Sequence, residues 1–168
     1  MKVLFRAVRS RRKFVNSPKV KAEIERVLDR EVKPDLIKQF ERVVSDWKNK
    51  PEFKARKSIS ANGVKIYVYP AGPNKKIWFF VSGGTKPHTI RPKNAHNRLF
   101  FPAGPYQPKT RPGGFYGGPG IAPGPTVAAK AVQHPGTEAR EFEKVIAKDY
   151  KNKFRRNVEN AFRRGLRG

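Results

Sequence analysis

The clearest structural signal in this chain is a stretch in which apolar and polar residues alternate, Asn62-Gly63-Val64-Lys65-Ile66-Tyr67-Val68-Tyr69. An alternation with a period of two is typical of a β-strand with one buried face, and an asparagine–glycine pair indicates a turn before it. A second turn at residues 71–74 is followed by an apolar run at 77–81. We therefore predict an antiparallel hairpin from these two runs, with further strands at 99–101 and 127–132.

Apolar residues at helical spacing lie on both sides of this region. Ser17 and Pro18 predict a helix start, because a capping residue there precedes a proline suited to the first turn. Pro34 is expected to kink or split this helix, since proline removes a backbone donor and clashes with the preceding turn. A long apolar stripe near the other end predicts a C-terminal helix over residues 137–165, with Thr137 as its cap.

These elements predict an α+β fold with N-terminal helices, an antiparallel β-sheet that contains a long loop, and a C-terminal helix packed on the sheet. Residues 49–58 are expected to be a polar, basic connection between the helices and the sheet. We expect one domain over residues 1–168. Its parts in chain order are a basic arm at 1–16, helices at 17–48, the sheet at 59–136 and the C-terminal helix at 137–165.

The long loop is the most biased segment of the chain. Residues 102–125 contain seven prolines and seven glycines, a composition that does not suit the interior of a sheet or a helix. One interpretation is a disordered insertion. The other is a loop that becomes ordered only against a neighbouring subunit, with Phe115 and Tyr116 as contact residues.

The charge of the chain is extreme and unevenly distributed. The 168 residues include 38 Lys and Arg against 13 Asp and Glu, which gives a formal net charge of +25. Residues 53–137 contain no carboxylate but hold 13 Lys and Arg. Such a charge indicates partners such as nucleic acid, an anionic membrane or an acidic protein, and says little about the fold. No apolar run reaches transmembrane length, so we expect no membrane insertion.

The sequence lacks the residue patterns that are typical of catalysis. The chain has no cysteine, and its carboxylates lie on predicted helices among Lys and Arg, where they indicate ion pairs and solvated faces. Gly83 and Gly84 are not followed by the Lys-Ser/Thr pair of a phosphate-binding loop. We therefore predict no enzymatic activity and no cofactor.

The three histidines are the remaining candidates for metal ligands. Because no thiol or carboxylate accompanies His88 and His96, a zinc site there would have to be all-histidine with water. His134 precedes Pro135, which restricts its backbone to extended geometry, so we expect it to fix a corner between a strand and a helix. We predict no metal site, with the all-histidine site as the alternative that the residues leave open.

Two stretches read together resemble a known family. One runs over residues 83–93 and is followed by Leu99-Phe100-Phe101, and the other runs over residues 132–142. Together they resemble the minor tail or neck components of long-tailed (siphovirus-like) phages, the head–tail joining and tail-completion proteins. The motif positions are Gly84, Thr85, Pro87, His88, His134, Pro135, Gly136 and Phe142. The 102–125 loop is longer than the connection that this family usually has.

The resemblance implies a structural virion protein without an active site. Its subunits would form a ring, with six copies expected, around the DNA channel in the neck or tail of a particle assembled in the host cytoplasm. The expected partners are connector or head-completion, tail terminator and tail tube proteins. Residues that could face the genomic DNA in such a ring are Lys86, Arg91, Lys93 and Arg98.

Two functions of other classes remain open at the level of sequence. The charge and the acid-free centre also suit a free, non-specific nucleic-acid-binding protein, whose affinity would depend on salt. A small nuclease is a third interpretation, and it rests on the charge alone. The known signatures of nucleic-acid-binding modules, such as zinc-finger spacing, are absent from the sequence.

Overall fold

The structure, a computed structural model, describes residues 3–7, 17–60, 63–105 and 123–167, and for residues 3–7 only the backbone. The predicted contact residues Phe115 and Tyr116 lie outside the described residues. The described chain contains helices and antiparallel sheets, with a helix towards each end, so the predicted α+β fold class is confirmed.

The described residues form four α-helices, one π-helical segment and seven β-strands. The helices are α1 (Pro18–Val27), α2 (Lys33–Val43), α3 (Lys75–Gly83) and α4 (Phe142–Arg167), and a π-helical segment (Leu28–Val32) joins α1 to α2. The strands are β1 (Val3–Ala7), β2 (Glu52–Ser60), β3 (Gly63–Ala71), β4 (His88–Ile90), β5 (Leu99–Pro102), β6 (Thr126–Ala129) and β7 (Val132–His134). They divide into two compact units: a first unit of Met1–Lys76 with Glu143–Gly168, and a second unit of Ile77–Phe142.

The first unit contains a three-stranded antiparallel sheet in the order β1-β3-β2. The central strand β3 follows the predicted alternation, since Val64, Ile66 and Val68 are buried and the residues between them are half-buried. On the covered face, α2 packs against the sheet, and the rings of Phe40 and Phe53 lie 5.2 Å apart. The buried face of the sheet thus forms one core with the N-terminal helices.

The prediction of a connection at residues 49–58 is wrong for most of its length. Residues 52–60 form β2, whose backbone pairs with β3 from Glu52 opposite Ala71 to Ser60 opposite Gly63. The apolar pattern did not reveal this strand, because of its nine residues only Phe53 is buried. Residues 3–7 of the predicted basic arm are likewise a strand, β1, which pairs with the other edge of β3.

The N-terminal helix is interrupted, but not by a break at Pro34. The π-helical segment ends two residues before that proline, and the backbone N–H of Lys33 donates to the carbonyl of Leu28. One residue more than the 3.6 of an α-helical turn rotates the following helix by roughly 100°. This rotation brings Ile24, Leu28 and Leu36 closer to one face than a regular helix would, and all three are buried.

The apolar run at residues 77–81 is helical, so the predicted hairpin of this run with β3 is wrong. Within α3, Trp78 and Ser82 are buried one helical turn apart, whereas Phe79 and Phe80 are exposed. Because β2 and β1 occupy both edges of β3, no edge of that strand is left for a further partner. Tertiary pairing here overrides a local composition that favours a strand.

The second unit carries two small two-stranded sheets. The predicted strand at 99–101 is confirmed as β5, which pairs with β6. The predicted strand at 127–132 is instead two strands, because β6 ends at Ala129 and β7 begins at Val132 and pairs with β4. The antiparallel structure expected over 59–136 is therefore divided among three sheets of the described chain.

The C-terminal helix begins at Phe142, not at Thr137 as predicted. Thr137 forms an isolated β-bridge with Thr85, which keeps the backbone extended at the expected cap. Within the first unit, α4 lies against α1 closely enough that a Cβ atom at Gly165 would meet the Cα atom of Val20 at 2.6 Å. Arg164 Nε also donates to Glu23 Oε1 at 2.6 Å, so this end of α4 is joined to α1 by packing and by charge.

Candidate functional site

The two sequence stretches that carry the family resemblance lie side by side in the second unit. His88 is opposite His134 in the β4–β7 pair, and Thr85 is bridged to Thr137. The Thr85 N–H donates to the Thr137 carbonyl at 2.9 Å, and the Thr137 N–H donates to the Thr85 carbonyl at 3.0 Å. The motif positions therefore form one structural feature, which we call the paired-motif corner (residues 84–88 and 134–137).

Two glycines allow the backbones of this corner to approach each other. Gly84 has φ +70° and Gly136 has φ +91°, conformations that residues with a side chain rarely adopt. A Cβ atom on Gly84 would lie 2.5 Å from the Thr137 carbonyl oxygen, and one on Gly136 would collide with the carbonyl oxygen of Thr85. Both positions therefore need glycine for conformation and for space.

The two histidines of the corner have structural hydrogen bonds. Their ring centroids lie 5.1 Å apart. His134 Nδ1 accepts the backbone N–H of Gly136 at 3.0 Å, as expected for a residue that fixes a corner, and His88 Nδ1 donates to the carbonyl of Lys86 at 2.8 Å. Within the ranges that the structure describes, no group of three or more His, Cys, Asp or Glu side chains could hold a metal ion.

Phe142, the last motif position, connects the corner to α3. The Arg140 N–H donates to the carbonyl of Val81 at 3.2 Å, and the Glu141 N–H donates to that of Ser82 at 2.9 Å. The Phe142 N–H donates to Ser82 Oγ at 3.1 Å, so a buried serine caps the start of α4. The Phe142 ring is fully buried with its centroid 5.4 Å from that of Trp78. Its role in this structure is therefore packing.

The four predicted DNA-facing residues all lie in the second unit. Lys86, Arg91, Lys93 and Arg98 are exposed, as is Pro87 of the paired-motif corner. Within the described part of the chain none of the four cations makes a salt bridge. Exposure makes them accessible to a polyanion, but they are spread over two loops rather than gathered on one element.

Large apolar side chains are exposed mainly on the second unit. Six such side chains are exposed among the described residues, and five of them belong to this unit: Phe79, Phe80, Ile90, Phe100 and Val127. The most exposed is Phe100, at 72 %. An open groove of about 870 Å³ lies beside it, lined by β5, the residues that follow β5, and the strand and loop at 132–138.

The same groove adjoins the ends of the Pro/Gly-rich segment. The Gly104 N–H donates to the carbonyl of Pro123 at 2.7 Å, and the Ala103 N–H donates to that of Pro125 at 2.9 Å. These bonds join the described residues on the two sides of positions 106–122, next to the β5–β6 pair. Pro105, the last described residue before that segment, lines the groove.

The first unit carries a different surface, which we call the cationic sheet face. It consists of the outward positions of β2 and β3, where Lys54 is opposite Tyr69, Arg56 opposite Tyr67, and Ser58 opposite Lys65. The three β2 residues are exposed and the three β3 residues half-buried. Arg56, Tyr67 and Tyr69, with Lys57, also line a shallow depression of about 440 Å³. Sequence analysis missed this face because β2 was not predicted.

The perturbed ionisable groups of the first unit belong to ion pairs between elements. Hydrogen bonds from Arg26 and Arg164 lower the pKa of Glu23 to about 2. Hydrogen bonds from Lys33 and Lys57 lower the pKa of Asp29. These carboxylates hold helices and sheet together.

Tyr150 and Asp35 form a further contact between α4 and α2. Tyr150 Oη donates to Asp35 Oδ2 at 2.7 Å. Burial, together with this hydrogen bond to a carboxylate, raises the pKa of Tyr150. Although burial opposes it, hydrogen bonds from Lys153 and Tyr150 keep the pKa of Asp35 lowered. A tyrosine with a raised pKa is a poor proton donor or acceptor near neutral pH, so this contact is structural.

Comparison of the chain with protein-family models, with curated proteins and with solved structures finds no match. None of the helices in the described ranges is both long and apolar enough to cross a membrane.

Proposed function

We propose that this chain is a structural subunit of the neck or tail of a long-tailed phage, which joins or completes the tail at the head–tail interface. In this proposal the subunits form a ring, with six copies expected, around the DNA channel. The chain performs no reaction and needs no cofactor. Its partners are connector or head-completion, tail terminator and tail tube proteins, and it acts in the virion after assembly in the host cytoplasm.

The observation that carries the proposal is the exposed apolar surface of the second unit. Monomeric soluble proteins rarely expose large apolar patches, and such surfaces usually mark interaction sites. Phe80 and Phe100 are 56 % and 72 % exposed, and Phe100 borders the groove beside β5. A second copy of this chain is the occupant that we assign to this surface, because a ring repeats one contact between identical subunits.

The paired-motif corner supports the family on which the proposal rests. The two stretches that suggested the family are far apart in the sequence, and yet they exchange backbone hydrogen bonds through Thr85 and Thr137. Paired glycines and a buried Phe142 account for several motif positions by geometry alone. Structural roles for the motif residues are consistent with a protein that acts by assembly.

Particle assembly provides the test. Removing this chain from the phage that encodes it should give unjoined or unstable heads and tails in electron micrographs. Native mass spectrometry of the purified chain, or of the chain with its neighbouring virion proteins, should show a closed oligomer. Normal infectious particles without the chain would refute the proposal. A strictly monomeric chain that only binds nucleic acid would support the alternative, a free and non-specific nucleic-acid-binding protein.

A further inference from the structure

We infer that the cationic sheet face of the first unit binds the phosphate backbone of duplex DNA. Lys, Arg, Ser and Tyr are among the side chains that contact phosphates in protein–DNA complexes, and all six side chains of this face are of these types. Each of them carries a proton that can be donated to a phosphate oxygen. The choice of DNA as the polyanion rests on the function proposed above.

The basic side chains of this face have no carboxylate partners among the described residues. Elsewhere in that unit, carboxylates bind basic side chains: Glu23 binds Arg26 and Arg164, and Asp29 binds Lys33 and Lys57. Within the described part of the chain, Lys54, Arg56 and Lys65 make no such ion pair. Cations without carboxylate partners are free to bind phosphate.

One carboxylate lies at the end of this row. Glu52 is the next outward residue of β2 beyond Lys54, and its carboxyl group lies beside Gly72. At the opposite edge of β3, the backbone of Arg6 in β1 is in register with Lys65. Beyond Glu52 the next carboxylate in the sequence is Glu138. Among the described outward residues of β2, Glu52 is therefore the carboxylate, and it lies at the end of the row.

Tyr69 fixes the orientation of Arg56. Arg56 Nε donates to Tyr69 Oη at 3.1 Å, and the guanidinium carbon lies 5.5 Å from the centre of the Tyr69 ring. A guanidinium held by one nitrogen keeps its two terminal nitrogens for a bidentate contact with phosphate. The Tyr69 hydroxyl accepts the bond from Arg56, so its own proton remains available for a phosphate oxygen.

The same contact favours backbone recognition over stacking of bases. Proteins that bind single strands stack successive bases on open aromatic rings. Arg56 lies over Tyr69, so of the two tyrosines only Tyr67 presents a ring that this guanidinium does not cover. The face offers no Asn or Gln side chain, the types that pair with adenine, and its Lys and Arg side chains lie on a sheet instead of a helix that could enter the major groove. We therefore expect duplex DNA to be bound without regard to sequence.

The test compares two triple charge reversals of equal size in the full-length chain. The test variant is Lys54→Glu, Arg56→Glu and Lys65→Glu. The control is Lys148→Glu, Lys151→Glu and Arg156→Glu, three exposed residues of α4 that form no ion pair among the described residues. Affinity for a fluorescent duplex oligonucleotide is measured by anisotropy at several salt concentrations, and circular dichroism checks the fold of each variant.

The test variant should bind duplex DNA at least about tenfold more weakly than the control, and the slope of log affinity against log salt should fall by about 0.9 for each lost phosphate contact. Equal weakening by the two variants would overturn the inference, because net charge alone would then explain binding. If the charge-reversed variant does not fold, the triple Gln variant at Lys54, Arg56 and Lys65 replaces it. Gln removes the positive charges without adding negative ones and so disturbs the sheet less.

Tyr67→Ala should change duplex affinity by less than about threefold. A larger loss, together with tighter binding to a single strand than to duplex, would indicate base stacking and overturn the inference. Triple reversal of Lys86, Arg91 and Lys93 should be milder than reversal on the sheet face, and a stronger effect would place the DNA contact on the second unit. A chain that assembles particles but fails these binding tests would refute this inference and leave the proposed function intact.

Discussion

Thr85 and Thr137, which lie on two distant segments of the chain, exchange a pair of backbone hydrogen bonds of 2.9 and 3.0 Å. This exchange joins the segment after α3 to the segment before α4. It also explains why the predicted cap at Thr137 does not start a helix, since its backbone is already committed to a strand-like partner. A contact between two short motifs thus connects distant segments of the second unit.

Replacing Gly136 by alanine should destabilise the second unit by more than about 2 kcal/mol, because the new Cβ would add a steric clash to a strained positive φ. Gly83→Ala is the matched control: a Cβ there meets nothing within 4 Å, and the residue ends α3. Urea denaturation of both variants, followed by circular dichroism, measures the difference. Equal stability of the two variants would show that the corner tolerates a side chain.

Gly165→Ala should destabilise the chain although the residue lies within α4. In an exposed helix interior, alanine is more favourable than glycine by about 1 kcal/mol. Here the added Cβ would press on the Cα atom of Val20, so the sign of the effect should reverse. Thermal unfolding of Gly165→Ala beside Asn152→Ala, an exposed site of the same helix, tests this. A rise in melting temperature for Gly165→Ala would contradict the close packing of α4 on α1.

Glu23 should make the stability of the first unit depend on pH in the acid range. Hydrogen bonds from Arg26 and Arg164 lower its pKa from an ordinary value of 4.5 to about 2. A lowered pKa in the folded state contributes stability above the unfolded value, and this contribution is lost as the pH falls from about 4.5 towards 2. Glu23→Gln should therefore be less stable than wild type at pH 7 and nearly equal to it near pH 2. Glu25→Gln serves as the control, and the same pH dependence in that variant would argue against a specific role for Glu23.

Phe80→Ser with Phe100→Ser should weaken self-association without unfolding the chain. Both side chains are exposed, so their loss removes apolar area from an interface but little from the core. Leu166→Ser provides the control, because this residue is 61 % exposed on the first unit. Sedimentation at several concentrations measures the oligomer. An unchanged oligomer in the double variant, or an equal loss with Leu166→Ser, would exclude the surface of the second unit as the subunit contact.

Local sequence patterns predicted the elements whose burial is regular. The alternation in β3 and the apolar stripe of α4 correspond to faces that pack on a core, so the spacing of side chains reveals them. The strand at residues 52–60 could not be predicted from apolar spacing. Lys54 and Arg56 of β2 are exposed, and backbone pairing with β3 stabilises the strand. Residues 77–81 suggested a strand, but only the helix buries Trp78 together with Ser82.

By itself the sequence determined the fold class, the charge, the absence of cysteine, and the two motifs that suggest a phage neck or tail protein. Tertiary structure alone decided that these motifs pair through Thr85 and Thr137, and that Arg56 lies over Tyr69 on an exposed sheet face. The physical reason is that periodicity and propensity act over a few neighbouring residues. Strand pairing, and the side-chain contacts that it creates across the sheet, depend on segments that are far apart in the chain.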